Sequence, residues 1–169
     1  MKNTEACVVI TGAAKGLGLA ISRQAIEAGY TVIGVGRSES LDFKSLPEDQ
    51  REFIEFDLYN LENISDLVNR IFDVADGVPY ALINNAATGL DGLLATQHNT
   101  DIRKVITLNL EAPILLTKYI TRRMIKYRRG RVVNISSIIA QTGFSGLSVY
   151  GATKAALAAD FPNTFLNDF

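Results

Sequence analysis

A tyrosine and a lysine stand four residues apart near the C-terminus, at Tyr150 and Lys154. In a helix these positions share one face, so the two side chains would be neighbours. An ammonium group beside a phenol stabilises the phenolate, which makes the tyrosine a usable general acid toward a carbonyl oxygen. Ser137, just past an apolar run, could hold that oxygen by a hydrogen bond. The three residues predict carbonyl and alcohol chemistry, although a Tyr-x-x-x-Lys pair alone is common.

A glycine-rich segment, Thr11 to Gly18, follows the first apolar run of the chain. Its first glycine lets the chain turn sharply, and the later two let backbone approach a phosphate at a helix N-terminus. The spacing is GxxxGxG instead of the usual dinucleotide fingerprint, and a plain tight turn is the alternative. Its position between a strand and a helix favours dinucleotide binding. The predicted cofactor contacts in this segment are Gly12, Ala14, Lys15, Gly16, Leu17 and Gly18.

The end of the second predicted strand indicates which dinucleotide is bound. A carboxylate there would bond the 2′-hydroxyl of NAD and repel a 2′-phosphate. The chain instead has Gly36, Arg37 and Ser38, so a guanidinium is available for bidentate phosphate contact. Lys15 could add a second cation, and an exposed charge at a strand end is the alternative. We expect NADP in preference to NAD.

Polar residues also follow the third and fourth predicted strands. Asp57 could accept a hydrogen bond from the adenine amino group, and a turn or helix cap is an equal alternative. Two adjacent amides, Asn84 and Asn85, can tie neighbouring strand ends together and line the floor of the crevice. The predicted cofactor contacts here are Asp57, Leu58, Asn84, Asn85 and Ala86.

Short apolar runs alternate with helical patterns and would position these residues. The runs at 6–11, 31–35, 52–56, 80–83 and 131–135 predict strands, and the periodicities at 16–28, 61–74, 100–127 and 150–160 predict helices. Residues 38–49 are polar, with at most a short helix. Pro113 should kink or break the long helix. The alternation predicts an α/β fold: a three-layer, doubly wound, Rossmann-type parallel sheet of about five strands in one domain, 1–169.

Composition excludes several other classes of function. The 169 residues carry a net charge of −1, so no strong field draws the chain to nucleic acid. With one cysteine and one histidine we expect neither a disulfide within the chain nor a metal site. We expect no membrane span, because no apolar stretch is long enough, and a cytoplasmic location, because no signal peptide is evident.

Together these motifs resemble the short-chain dehydrogenase/reductase family (SDR), most closely its 3-oxoacyl-[acyl-carrier-protein] reductase branch. The resemblance runs over about 7–157 and rests on 11–18, Asp57, 84–86, Asn109, 136–137 and 150–154. It implies a catalytic set of Asn109, Ser137, Tyr150 and Lys154. Tyr150 would donate the proton, Ser137 would orient the carbonyl, and Asn109 would anchor a water. Lys154 would hold the nicotinamide ribose, and Tyr150 and Lys154 would therefore also contact the cofactor.

The C-terminus departs from the family's pattern. Residues 158–169 do not resemble the family's continuation, so the last two strands and the substrate lid of the family would be lacking. The apolar fifth strand would then be a sheet edge, which either a partner chain or the apolar tail residues would cover, namely Phe161, Phe165, Leu166 and Phe169. The resemblance also implies a dimer face on the long helix and the helix of Tyr150 and Lys154, so we expect a homo-oligomer, a dimer or tetramer. Three alternatives stay open: an NADP-dependent reductase of a carbonyl substrate, with a 3-oxoacyl thioester as one candidate; a catalytically impaired nucleotide- or partner-binding protein; and an incomplete copy of a full enzyme.

Overall fold

A single parallel sheet organises the residues that the structure, a computed structural model, describes, which are 7–159. Its strands are β1 (Cys7–Thr11), β2 (Thr31–Gly36), β3 (Arg51–Glu55), β4 (Ala81–Asn84) and β5 (Arg131–Asn134), in the spatial order β3-β2-β1-β4-β5. Every pairing is parallel. The strand order reverses at β1 and β4, and in such sheets ligands bind beyond the strand ends at this point.

The helices of the described residues are α1 (Gly16–Glu27), α2 (Leu41–Lys44), α3 (Ile64–Ala75), α4 (Asn99–Ile106), α5 (Ala112–Lys126), α6 (Ile139–Thr142) and α7 (Ser148–Ala159). Three short 3₁₀ turns stand at Glu48–Gln50, Leu61–Asn63 and Leu94–Thr96. A π turn at Thr107–Glu111 joins α4 to α5.

Apolar side chains cover both faces of the sheet. On one face Leu67 and Ile71 of α3 and Leu116 and Ile120 of α5 are buried in a cluster with Val9 of β1. The opposite face packs on α1 and α2 in a second cluster, whose buried members are Val8, Ile10, Ala13, Leu19, Ile26, Val32, Phe43, Leu46 and Ala81. Alternate residues of β1 therefore belong to different clusters, as a strand buried on both faces requires. The predicted three-layer, doubly wound fold with five strands is confirmed.

The predicted long helix over 100–127 is interrupted earlier than Pro113 itself. The N–H of Ala112 donates to the carbonyl of Thr107, five residues back, which defines the π turn. Pro113 has no N–H, so the carbonyl of Asn109 receives no bond from the residue four positions later. The disturbance therefore falls on the turn before the proline, and Pro113 itself lies in the first turn of α5.

The other predicted elements differ from the structure at their ends only, whereas α6 and the 3₁₀ turn at Leu94–Thr96 have no predicted counterpart. Phe56 was predicted as strand, but β3 ends at Glu55, and the predicted 61–74 helix begins with a 3₁₀ turn. The predicted residues Ala6 and Asp160 lie outside the described residues, as does most of the atypical tail. At the opposite side of the sheet from β3, β5 pairs with β4 alone among the described strands, and its Val133 is 44% exposed.

Candidate functional site

A cavity of about 710 Å³ opens beyond the C-terminal ends of β1, β2, β3 and β4. This is the switch point of the sheet, where α/β folds bind their ligands. Its walls include eleven of the predicted cofactor contacts, which are Gly12, Ala14, Lys15, Gly16, Leu17, Gly18, Arg37, Asp57, Leu58, Asn85 and Ala86. The glycine loop and three strand ends therefore meet around one space.

Gly12 and Gly18 of the glycine loop pack closely against the loop's own backbone and the segment after β4. Gly12 has φ +68°, which side chains rarely tolerate. A Cβ on Gly18 would lie 2.2 Å from the carbonyl oxygen of Gly12 and 2.7 Å from Nδ2 of Asn85. The first turn of α1 thus sits directly on the turn after β1. This close approach leaves the N-terminus of α1 facing the cavity, as phosphate binding requires.

Thr11 joins the glycine loop to the segment after β4. Its buried hydroxyl accepts from the backbone N–H groups of Asn85 and Ala86, each at 3.0 Å. Asn85 returns a bond from Nδ2 to the carbonyl of Thr11 at 2.9 Å. These bonds hold the two loops together on either side of the switch point. The prediction that the amides tie strand ends together therefore agrees with the contacts of Asn85.

Asn84 does not reach the cavity. Its side chain is 2% exposed and donates from Nδ2 to Oγ1 of Thr117 at 3.0 Å and to Oδ1 of Asn134 at 2.8 Å. It links β4 to α5 and β5. The expectation that both amides line the crevice is corrected here, because adjacent residues of an extended chain point to opposite faces and only Asn85 can face the cavity.

The cations at the adenosine end of the cavity are exposed, and neither Arg37 nor Lys15 forms an ion pair among residues 7–159. The nearest carboxylate in sequence, Glu39, is engaged elsewhere: Arg51 binds it at 2.7 Å and Lys44 lies at 3.8 Å. The wall beyond β2 therefore presents positive charge toward a ligand, and its local acid is neutralised.

Asp57 both lines the cavity and holds a turn. Its Oδ1 accepts from the backbone N–H of Tyr59 at 3.1 Å, which leaves the second carboxylate oxygen for a ligand. The turn carries Tyr59 into the cavity wall, a contact that the sequence analysis did not identify. Wall residues that were also missed are Ser40, Phe56, Thr88 and Leu108. The sequence could have indicated a structural role for Ser40, because a serine directly before a helical segment is a typical N-cap. In the structure its Oγ accepts a hydrogen bond from the N–H of Phe43.

Lys154, a predicted catalytic residue, is held by contacts at both of its ends. It is 3% exposed, and its Nζ donates to the carbonyl of Ile135 at 2.7 Å and lies 5.8 Å from the ring centroid of Tyr150. Burial lowers the pKa of Lys154 below the ordinary lysine value. Ser136 donates from Oγ to the carbonyl of Lys154 at 2.8 Å. Both ends of this residue are thus tied to the segment after β5.

Ser137 follows in the same segment and is half-buried, with its Oγ accepting from the N–H of Ile139 at 3.3 Å. That bond uses an acceptor site and leaves the hydroxyl proton for a carbonyl oxygen. None of Ser137, Tyr150 and Lys154 lines the 710 Å³ cavity, whose wall includes Thr88 and Leu108.

Asn109 connects that wall to the catalytic helix. Its fully buried amide accepts from the N–H of Thr88 at 2.8 Å and donates to the carbonyl of Thr88 at 2.8 Å and to Oγ1 of Thr153 at 3.2 Å. Thr153 in turn donates to the carbonyl of Tyr150 at 2.8 Å. The side chain of Asn109 therefore positions α7 against the loop after β4. Asn109 itself lies within the π turn, and its role in anchoring a water stays a prediction.

The profile of the short chain dehydrogenases matches residues 6–163. The chain belongs to this family. A 3-oxoacyl-[acyl-carrier-protein] reductase of Aquifex aeolicus is 34% identical over 155 residues, covering 88% of this chain and 62% of the relative. A benzil reductase of Bacillus subtilis is 36% identical over 163 residues, covering 93% of the chain and 65% of the relative. This short-chain dehydrogenase therefore spans less than two thirds of the length of these relatives.

A solved structure of similar fold was determined with a cofactor. A metagenomic short-chain oxidoreductase in complex with NADP superposes with a TM-score of 0.83 at 27% identity, over 90% of this chain and 72% of that one. The cavity walls fit a nicotinamide dinucleotide, because the N-terminus of α1 faces the cavity through Gly16, Leu17 and Gly18, and Lys15 and Arg37, which form no ion pair among residues 7–159, lie in the same wall. The described residues contain no group of acids, cysteines and histidine that could hold a metal ion, and none of their helices is long and apolar enough to cross a membrane.

Proposed function

We propose that this short-chain dehydrogenase is an NADP-dependent oxidoreductase that transfers hydride between NADPH and a carbonyl or hydroxyl substrate. The observation that carries the proposal is a pair of features linked by one asparagine: a glycine-cradled cavity beside Arg37 and Lys15, which form no ion pair among residues 7–159, and a buried Lys154 whose Nζ lies 5.8 Å from the ring centroid of Tyr150. The asparagine Asn109 joins the two through Thr88 and Thr153.

Each residue would have one task in the reaction. Bound NADPH supplies a hydride to the carbonyl carbon. Tyr150 gives its hydroxyl proton to the carbonyl oxygen, so the carbonyl gains one hydride and one proton and becomes an alcohol. Ser137 orients that oxygen, and the ammonium of Lys154 stabilises the phenolate that Tyr150 becomes.

The reaction is tested by NADPH oxidation with an acetoacetyl thioester, a choice supported by the relative named as a 3-oxoacyl reductase. We expect turnover, and Tyr150→Phe should lower kcat by at least about 100-fold. Because Tyr150 is also a predicted cofactor contact, NADPH binding should weaken by less than about 10-fold, the loss of one hydrogen bond. Binding of NADPH without oxidation of it by any carbonyl would favour the alternative, a catalytically impaired nucleotide- or partner-binding protein. Failure to bind either cofactor would refute the proposal.

Preference for NADP would come from Arg37 and Lys15. Arg37→Glu should weaken NADPH binding about 10- to 100-fold, because a charge-assisted bond to the 2′-phosphate is lost, and leave NADH binding within about twofold. Arg23→Glu, a charge reversal on the outer part of α1, is the matched control. Equal losses for both cofactors would contradict a role in selection.

The homo-oligomer and the cytoplasmic location stay predictions, and elution of a monomer in sizing chromatography would count against the homo-oligomer.

A further inference from the structure

Four large apolar side chains stand exposed beside the catalytic residues. Leu93 and Leu94 are 69% and 52% exposed in the loop after β4, and Ile138 and Phe144 are 77% and 66% exposed in the segment before α7. We call these four side chains the apolar rim. Exposed apolar groups gathered in one place mark a binding surface more often than scattered ones do.

A direct bond joins the two loops that carry the apolar rim. The N–H of Gly92 donates to the carbonyl of Gly146 at 3.0 Å. Leu93 adjoins one end of this bond, and Phe144 lies two residues from the other, so the two side chains come from neighbouring backbone. Gln97 steadies the first loop by donating from Nε2 to the carbonyl of Gly92 at 3.1 Å.

The second loop is also fixed to the catalytic helix. The N–H of Gly151 donates to the carbonyl of Leu147 at 2.8 Å, and a Cβ on Gly151 would lie 3.2 Å from the side chain of Ile139. Ile138 directly follows Ser137. Ile138 and Phe144 therefore belong to the segment that runs from Ser137 to Tyr150, and the bond from Gly92 to Gly146 brings the loop of Leu93 and Leu94 to the same segment. A substrate that presents its carbonyl to Ser137 and Tyr150 would have its remaining atoms close to these two loops.

Charge is nearly absent from both loops. Between Ile135 and Thr153 the one ionisable side chain is Tyr150, and the segment 84–100 holds only Asp91 and His98. Lys154, the adjacent cation, is buried against the carbonyl of Ile135. A carboxylate or phosphate on the substrate would meet no exposed lysine or arginine from these loops, and it would be repelled by Asp91.

We propose that the apolar rim selects uncharged substrates with a bulky aryl or alkyl group next to the carbonyl and discriminates against anionic ones. This rests on the proposed reductase function and names its substrate class. Phe144 is the main determinant, because a ring contributes the largest apolar contact of the four.

Two aryl dicarbonyl compounds of similar size test the charge rule: neutral 1-phenyl-1,2-propanedione and anionic phenylglyoxylate. Binding to the full chain is measured by calorimetry, with and without saturating NADP⁺, beside NADPH oxidation. We expect the neutral compound to bind at least about tenfold more tightly. Phe144→Ala should weaken its binding about tenfold and leave the NADPH dissociation constant unchanged, whereas Phe144→Leu should restore most of the loss.

Ile125→Ala is the matched control, because Ile125 is an apolar side chain of similar exposure, 58%, but stands in the last turn of α5 and not in either loop of the apolar rim. It should leave both ligands unaffected. Tighter binding of phenylglyoxylate, no binding of the neutral compound, or equal effects of Phe144→Ala and Ile125→Ala would overturn the selection rule. If NADPH fails to bind while the neutral compound still binds through Phe144, the reductase proposal fails and the apolar rim stands.

Discussion

Gly18→Ala places one methyl group at the closest contact of the glycine cradle. The new Cβ would lie 2.2 Å from the carbonyl oxygen of Gly12, where ordinary contact begins at 3.4 Å. Both that oxygen and the nearby Nδ2 of Asn85 are held, the latter by its bond to Thr11. Because the atom closest to the new methyl group belongs to the backbone and not to a flexible side chain, it cannot move aside freely. The first turn of α1 must therefore move by about 1 Å.

Two opposing energies set the expected size of the effect. Overpacking of this kind costs about 1–3 kcal/mol, and a backbone clash belongs at the upper end. Alanine regains roughly 1 kcal/mol relative to glycine inside a helix. A net loss of about 2 kcal/mol would lower Tm by roughly 4–8 °C in a chain of this size. If the phosphate site needs the undisturbed turn, the same energy weakens NADPH binding about 30-fold.

Thermal unfolding and calorimetric titration with NADPH measure the two quantities. Gly89→Ala is the control, because a Cβ there meets nothing within 4 Å and Gly89 has no positive φ. We expect its Tm within about 1 °C and its dissociation constant within about twofold of the wild type. If Gly18→Ala binds NADPH as tightly as Gly89→Ala does, the glycine cradle is not the phosphate site.

Three other substitutions test the ties around the site. Thr11→Val should lower the free energy of unfolding, measured in urea, by about 2–4 kcal/mol, because the backbone N–H groups of Asn85 and Ala86 lose the hydroxyl that accepts their bonds. Thr11→Ser, which keeps a hydroxyl, should retain most of the wild-type stability. Ser136→Ala should cost about 1 kcal/mol of stability, whereas Ser137→Ala should cost less than about 0.5 kcal/mol and reduce turnover about 100-fold; the reverse pattern would exchange their roles. Burial lowers the pKa of Lys154 in the folded protein below 10.5, so the unfolded chain binds that proton more tightly. The free energy of unfolding should therefore rise with pH between the lowered pKa of the folded protein and 10.5. A rise of equal size in Lys154→Met would contradict this expectation.

Much of the cofactor crevice was predictable because parallel strands end at the same edge of a sheet. The glycine loop, Arg37, Asp57 and Asn85 each directly follow a predicted strand, and the structure brings all of them to one cavity. Periodicity supplied the strands and most helices, since apolar runs of this kind fit a sheet buried on both faces.

The sequence did not show in which direction individual side chains point or where the backbone departs from regular helix geometry. Asn84 and Asn85 look equivalent as a pair, but strand alternation sends one into the sheet and the other into the cavity. The effect of Pro113 falls on the π turn before it, because the missing N–H deprives earlier carbonyls. Tyr59 reaches the wall through a local turn in which the side chain of Asp57 accepts from the N–H of Tyr59, and the sequence does not show to which side that turn directs the ring.

The adenosine half of the crevice can be tested by itself with 2′,5′-ADP, which carries the 2′-phosphate but no nicotinamide. Calorimetric titration of the wild-type chain with this compound and with 5′-AMP measures the site directly. The cradle at Gly12 and Gly18, with Arg37 and Lys15 at its side, predicts saturable binding of 2′,5′-ADP that is at least about tenfold tighter than that of 5′-AMP. Absence of binding by either compound would contradict a dinucleotide site in this part of the molecule.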